Sequence, residues 1–421
     1  MRLSTTPILL ALLLLDSRDA IPDEPKQPST LPIRVLALDG RVLEGLVLEP
    51  RGTSLHLVTS EGPRDLDLAE VLEVSTGVPA AGRDPLPAPG TFAVEADLVN
   101  GDLLRGVLAR GLGEKGFVVR SAALGEVEVA MESLSALRLT ANYARTEDPP
   151  ALPAPDRADR ILFVSGDRLE GTIRSAGPDG VRVRTPSGEE RTLRLDDLLG
   201  FALAPLPRTP AEGLVVRLAL AEGTRVSGSA VDGAEGTWIL RGAAGGKDRR
   251  VPAARVTGIA VGGGRGTPLS DLAPSAVDVK PYWGDDPPVL LLRPVVDRAF
   301  TLDRGPAPPL RLGGRTYLRG LSVFSGTTVH YDLEGKGFRS FVAAAGVDDA
   351  GPLGAVEFEV LLDGKSAWRS GVVKALPPGG EPAAAPRIDL AGAKRLTLVV
   401  HAGPGDDVQD FADWVRAAFL P

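Results

Sequence analysis

Four times in its first two-thirds, the chain runs through an apolar, strand-like stretch into a glycine, four residues and a second glycine. These segments read GRVLEG (Gly40 to Gly45), GDLLRG (Gly101 to Gly106), GDRLEG (Gly166 to Gly171) and GTRVSG (Gly223 to Gly228). A second apolar alternation follows each: LHLV from Leu55, FVVR from Phe117, VRVR from Val181 and WILR from Trp238. Alternation with a period of two argues half-buried strands. In the first copy the pattern predicts strands over 33–38, 42–49, 54–59, 64–68 and 71–74, and the third copy follows the same course. The first glycine supplies the positive φ of a two-residue hairpin turn. The second, inside a strand, allows the sharp bend that closes a small barrel. Successive first glycines stand roughly 57 to 65 residues apart, too far for a solenoid unit and suited to a minimal β-barrel.

Proline-rich breaks at 78–90, 141–156, 205–213 and 262–268 separate the copies, because proline lacks the N–H a ladder needs. The expected units are 31–77, 91–140, 157–204 and 212–262. The strand, glycine turn and bent glycine-bearing strand resemble the opening of the Sm-like small-barrel family. That resemblance implies an Sm-like or SH3-like β-barrel fold for each copy. The family's Arg-Gly turn before the last strand and its RNA-contacting loop are absent here, so RNA binding does not carry over with the fold.

From Leu272 the texture changes: aromatic residues rise, the glycine signature disappears and longer alternating segments begin. VEFEVLLDGK sets Val356, Phe358 and Val360 against Glu357 and Glu359 and then turns at Asp363-Gly364, a half-buried strand entering a hairpin. RLTLVV repeats the alternation from Arg395. Short strands, few helices and no cysteine framework indicate a sandwich over 272–421. Several phrases resemble the NPCBM family of carbohydrate-binding modules associated with glycoside hydrolase family 98. They are Gly320-Leu321, Tyr331 to Leu333, Phe341 to Asp349, Val356 to Lys365, and Asp410 to Ala417. The resemblance implies a galactose-binding-like jelly-roll β-sandwich, a structural calcium ion and galactose-containing glycans as partners. Family members commonly carry His at two positions where this chain has Phe324 and Phe411.

Composition narrows the class. The 421 residues are 43% apolar, enough for packed cores, while 50 Gly and 37 Pro point to many turns, so the chain reads as all-β. A formal charge of −8 leaves no electrostatic footprint for nucleic acid. Arg182, Arg184, Arg191 and Arg194 recur at strand spacing beside Glu189, Glu190, Asp196 and Asp197, as on a solvated strand face. Arg2 followed by an apolar run over 7–15 reads as a secretory signal within 1–20, too short to span a bilayer as a helix. The expected location is therefore extracytoplasmic. With no Cys, neither a disulfide nor a lipidated cysteine is available.

Candidate chemistry sits in the C-terminal segment. Asp348, Asp349 and Asp410, near Asp406, Asp407 and Asp413, offer hard oxygen ligands for calcium; the alternative is that they cap turns. Aromatic planes beside hydrogen-bonding groups suit pyranose rings, which nominates Trp368, Tyr331, Asp349 and Arg369, with Trp283 and Tyr317 also available. Trp414 and Trp238 read as core. His56, His330 and His401 lie in separate strand contexts without a triad motif, and no catalytic residue is nominated. The expectation is an exported, non-enzymatic modular protein that binds glycan or cell-surface polysaccharide. The alternatives are a structural scaffold with a degenerate sugar site, and a glycoside hydrolase or its accessory.

Overall fold

Each Gly-x4-Gly segment turns a hairpin at its first glycine. Gly40, Gly101, Gly166 and Gly223 have φ of 85°, 83°, 87° and 90°, the left-handed region that side chains with a Cβ avoid. The turn is longer than the expected two residues. Gly40 donates its N–H to Ala37 and Ala37 to Arg41, so Leu38, Asp39 and Gly40 together close it. This is a type I turn completed by a left-handed glycine. The second glycines answer to a different constraint, the close approach of another strand. A Cβ at Gly106 or Gly228 would stand 2.3 Å from the carbonyl oxygen of Arg120 or Arg241.

The computed structural model describes residues 33–78, 90–146, 152, 157–205, 213–234, 236–243, 247–280, 293–300, 307–404 and 407–421. The expected signal over 1–20, Trp283 and Asp406 lie outside the described residues. Within them, one order of elements recurs. A hairpin, a bent strand and a further hairpin lead to a 3₁₀ turn and a last strand that pairs back on the first. The returning pairs are Ile33–Ala37 with Val71–Ser75, Ala93–Leu98 with Leu134–Leu139, Asp159–Phe163 with Leu198–Ala202, and Val215–Leu220 with Val256–Gly262.

These units are not separate beads. Their apolar side chains form two shared cores, one from the first and fourth units and one from the second and third. Within each pair the last strands lie antiparallel, Val74 opposite Ile259 and Leu137 opposite Phe201. Gly258 and Gly200 permit that contact, since a Cβ would meet the carbonyl oxygens of Val74 and Leu137 at 2.5 and 2.3 Å. A unit of this size buries little of its own surface, and pairing enlarges the core.

The sandwich begins before the expected Leu272: Thr267–Pro268 pairs with Phe411–Leu420, and Leu269 is buried in the sandwich core. One sheet contains Gly320–Phe324, Phe411–Leu420 and Ser340–Val347. The other runs Ala276–Val279, Thr327–Asp332, Arg395–Ala402, Ala355–Leu362 and Lys365–Lys374. Trp414, Phe341, Phe358 and Phe419 fill the space between them. The Asp363-Gly364 turn has positive φ at both residues, 47° and 80°, as a tight hairpin turn needs.

Residues Leu31–Pro421 form one compact unit. Leu36 and Leu72 of the first repeat pack against Val342, Ala418 and Leu420 of the sandwich. A buried ion pair adds a tie to the second repeat, where Arg298 of the sandwich reaches Glu95 at 3.2 Å. Burial works to raise the pKa of Glu95, but Arg298, Arg105 and Arg138 outweigh it and hold the carboxylate ionised.

Candidate functional site

The sequence-nominated residues fall on two parts of the sandwich. The first is the loop end where Ser340–Val347, Ala355–Leu362 and Phe411–Leu420 meet. Asp348 is buried there and accepts N–H bonds from Arg311 at 2.9 Å and Ala350 at 2.8 Å. Asp349 is half-buried and accepts one from Gly314 at 2.8 Å. Asp410, also buried, accepts one from Ala355 at 2.8 Å. Asp413 is fully buried, receives the Ser322 hydroxyl and hydrogen-bonds Asp348. Burial and the neighbouring Asp348 push the Asp413 carboxyl well above its usual range, and burial raises Asp348 as well.

Two carboxyls in contact cannot both ionise, so the pair holds one proton. Among the described residues, no group of three or more His, Asp or Glu side chains is arranged to hold a metal ion. Asp348, Asp349 and Asp410 each accept backbone amides in this arrangement. Beside them, Phe324 and Phe411 are buried with Phe300, the three ring centroids 5.7–6.3 Å apart. Hydrocarbon fills the positions where the family commonly carries His.

The second part is the outer face of the five-stranded sheet. Tyr331 does not belong to it. Alternation along Thr327–Asp332 turns Val329 and Tyr331 inward, and the Tyr331 ring lies 5.9 Å from Phe419 with only 3% of the residue exposed. Burial raises its phenol pKa, and it offers no open face to a sugar. Trp368 is half-buried, its ring set edge-on to Trp414 at 6.3 Å. It both supports the core and borders the surface.

Arg369, next along the strand, faces outward and grips Glu359 with two hydrogen bonds of 3.0 and 2.8 Å, a fork-on-fork geometry. Its guanidinium also reaches Glu357 at 3.3 Å. His401 Nε2 lies 2.8 Å from Glu359 Oε2. Burial works to raise Glu359, but hydrogen bonds from Ser366, His401 and Arg369 prevail and keep it below the usual carboxylate range. Further across this sheet, His330 lies 2.9 Å from the Thr397 hydroxyl and 3.2 Å from Asp278. The remaining histidine, His56, pairs with Asp65 in the first repeat.

Sequence reasoning named Arg369 but missed Glu357, Glu359 and His401. The available signal was the period of two in VEFEVLL, which turns both glutamates outward. The Asp363-Gly364 turn then fixes the register that places Glu359 opposite Arg369.

The family profile of the NPCBM/NEW2 domain matches residues 268–420, so the sandwich is an NPCBM domain. A curated relative from Renibacterium salmoninarum, named "Putative endo-alpha-N-acetylgalactosaminidase", is 36% identical over 118 residues. That match spans 28% of this chain and only 8% of the relative. Similar solved structures include the CBM51 module from Clostridium perfringens GH95 in complex with methyl-galactose. It is 21% identical, and the alignment covers 37% of this chain and 99% of that one, with a TM-score of 0.30. The tandem CBM51 modules of the family 98 glycoside hydrolase from Streptococcus pneumoniae SP3-BS71 are 12% identical. There the alignment covers 92% and 88% of the two chains, with a TM-score of 0.31. Among the described residues, no helix is long and apolar enough to cross a membrane.

Proposed function

We propose that this is an exported, non-enzymatic, modular protein that binds glycan through its NPCBM sandwich. The observation that carries this reading is the locked Arg369–Glu359–His401 group on the outer sheet face. Ring hydroxyls are recognised by donors and acceptors held in one orientation, and these side chains hold one another. Asp349, half-exposed at the loop end, supplies a further acceptor. The domain assignment supports glycan as the partner, and a galactose-type polysaccharide is the expected class. Export rests on Arg2 and the apolar run over 7–15. A shallow polar face has few desolvated anchors, so affinity falls roughly in the micromolar to millimolar range.

The test is nuclear magnetic resonance mapping of the full chain with galactose-type oligosaccharides. Shifts should centre on Glu359, Trp368, Arg369 and His401, and Arg369→Ala should abolish them while the fold persists. Shifts confined elsewhere, or unaffected by that substitution, reject the surface. A structural scaffold is the second reading, favoured by the Phe300–Phe324–Phe411 cluster, which leaves no polar group where the family commonly has His. Under that reading the folded chain binds no glycan.

A further inference from the structure

Strand Phe411–Leu420 carries a bulge where it pairs with Ser340–Val347. Val415 faces Ala344 and Ala418 faces Val342, so two residues, Arg416 and Ala417, oppose one. Arg416 takes a φ of 50°, a left-handed conformation that glycine usually supplies at such a position. Bulges re-aim side chains, and this one directs the Arg416 guanidinium over the Tyr317 ring, 5.4 Å from its centroid. Backbone strain of this kind persists where the surroundings enforce it, and it often marks a functional group.

Arg416 lines a narrow pocket between the first repeat and the sandwich, together with Arg34, Glu73, Arg315 and Tyr317. Two polar atoms of these lining residues, Glu73 Oε2 and Tyr317 Oη, are buried without a hydrogen-bond partner. Their residues are only 7% and 3% exposed. Buried polar atoms are nearly always paired, so two orphans on side chains that line one pocket call for a partner beside them. The space accepts about two water-sized groups, the bulk of a carboxylate but not of a whole ring.

The arginines show what they can bind. Arg34 and Arg315 both pair with Glu381, and Arg416 approaches it at 3.8 Å. Three guanidinium groups thus already converge on one carboxylate, and the Glu381 side chain is 52% exposed, free to be displaced into solvent. Arginine forks match carboxylate geometry, while Tyr317 Oη and Glu73 Oε2 suit the hydroxyl of an adjoining carbon.

We infer that this pocket binds the carboxylate end of an acidic sugar of the uronate class, with Glu381 as its built-in competitor. The site is separate from the sheet face proposed above and stands or falls independently of it.

The test is calorimetric titration of the full chain with sodium glucuronate and sodium galacturonate, with methyl-galactoside and acetate as controls. A uronate should bind at millimolar concentration and acetate more weakly. Tyr317→Phe, which removes only the hydroxyl, should weaken uronate binding about tenfold. Glu381→Ala, which removes the competitor, should tighten it about fivefold, an effect that a merely structural role would not produce. Arg369→Ala should leave it unchanged, which separates this site from the sheet face. Absence of uronate binding, acetate binding as tightly as uronate, or affinity indifferent to both pocket variants overturns the inference and leaves two ordered waters as the occupants.

Discussion

Asp413 and Asp348 are neighbouring buried carboxyls at the loop end of the sandwich, and burial together with Asp348 raises Asp413 well above its usual range. Ser322 completes the chain: its hydroxyl bonds Asp413 and its oxygen accepts the Phe300 N–H at 2.7 Å. Asp413→Asn retains a donor toward Asp348 and should change stability by no more than about 1 kcal/mol at neutral pH. Asp413→Ala removes the neighbour of the buried Asp348 carboxyl and the acceptor of the Ser322 hydroxyl, and should cost about 2–4 kcal/mol. The raised folded pKa makes the wild-type contribution complete at low pH and lost as pH rises through it, so the wild type should lose ground to Asp413→Asn on alkalinisation. Urea unfolding across pH checks both. Equal destabilisation by Asn and Ala would contradict the shared proton.

Glu73 gives a second pH dependence, at the join between the first repeat and the sandwich. Burial pushes its carboxyl up to about 7 from 4.5, against the lowering influence of Arg416 and of the Leu318 and Arg319 amides, while Asp297 pushes it further up. Arg34 and Tyr317 line the same pocket. Its stabilising contribution is complete below the unfolded value near 4.5 and lost as pH climbs to about 7. Glu73→Gln should match the wild type in acid and exceed it by about 2–3 kcal/mol above neutrality. A stability difference that does not vary with pH would show that folding leaves the Glu73 pKa unshifted.

Much of this architecture was legible. The period of two located the strands, and the glycine pairs marked turn and bend, because each glycine meets a local demand that the residue type itself reports. The DG dipeptide at Asp363-Gly364 gave its hairpin for the same reason. What stayed hidden depends on contacts between distant segments. No local pattern shows that the last strand of the first repeat pairs with that of the fourth, Val74 opposite Ile259. Likewise Tyr331 resembles an exposed platform until strand parity places it inward. Glu359 becomes a site residue only once Arg369 and His401 are brought to it from two neighbouring strands.

The two glycine classes should respond differently. Gly166 has φ of 87°, and a Cβ added there would meet nothing within 4 Å, so Gly166→Ala costs only conformational strain, about 1 kcal/mol. Gly171→Ala would set its Cβ 2.7 Å from both the Arg184 carbonyl oxygen and a Val183 methyl group, and should cost more, about 2–4 kcal/mol. Chemical denaturation of both variants reads the difference. The reverse order would reject the close-approach role of the second glycine.

Calcium offers a simple discriminating experiment. With Asp348 and Asp413 sharing a proton, and Asp349 and Asp410 capping amides, added calcium should leave the melting temperature of the full chain unchanged, as should chelator. A ligand that binds only the folded state at 100 times its Kd would stabilise by about 2.7 kcal/mol, which a thermal scan resolves readily. A reproducible rise with calcium, reversed by chelation, would show that the carboxylates rearrange into a metal site.

The central claim, glycan binding by the sandwich, is tested most directly by titrating the full chain against a broad panel of galactose-containing and other polysaccharides, with Arg369→Ala in parallel. The full chain is the proper sample, because Arg298 ties the sandwich to Glu95 of the second repeat, and Val342, Ala418 and Leu420 pack on the first. Saturable binding of at least one glycan at micromolar to millimolar concentration, lost in the variant while its unfolding transition is preserved, is the predicted result. A folded wild-type chain that binds no member of the panel at millimolar concentration would contradict it and establish the scaffold reading.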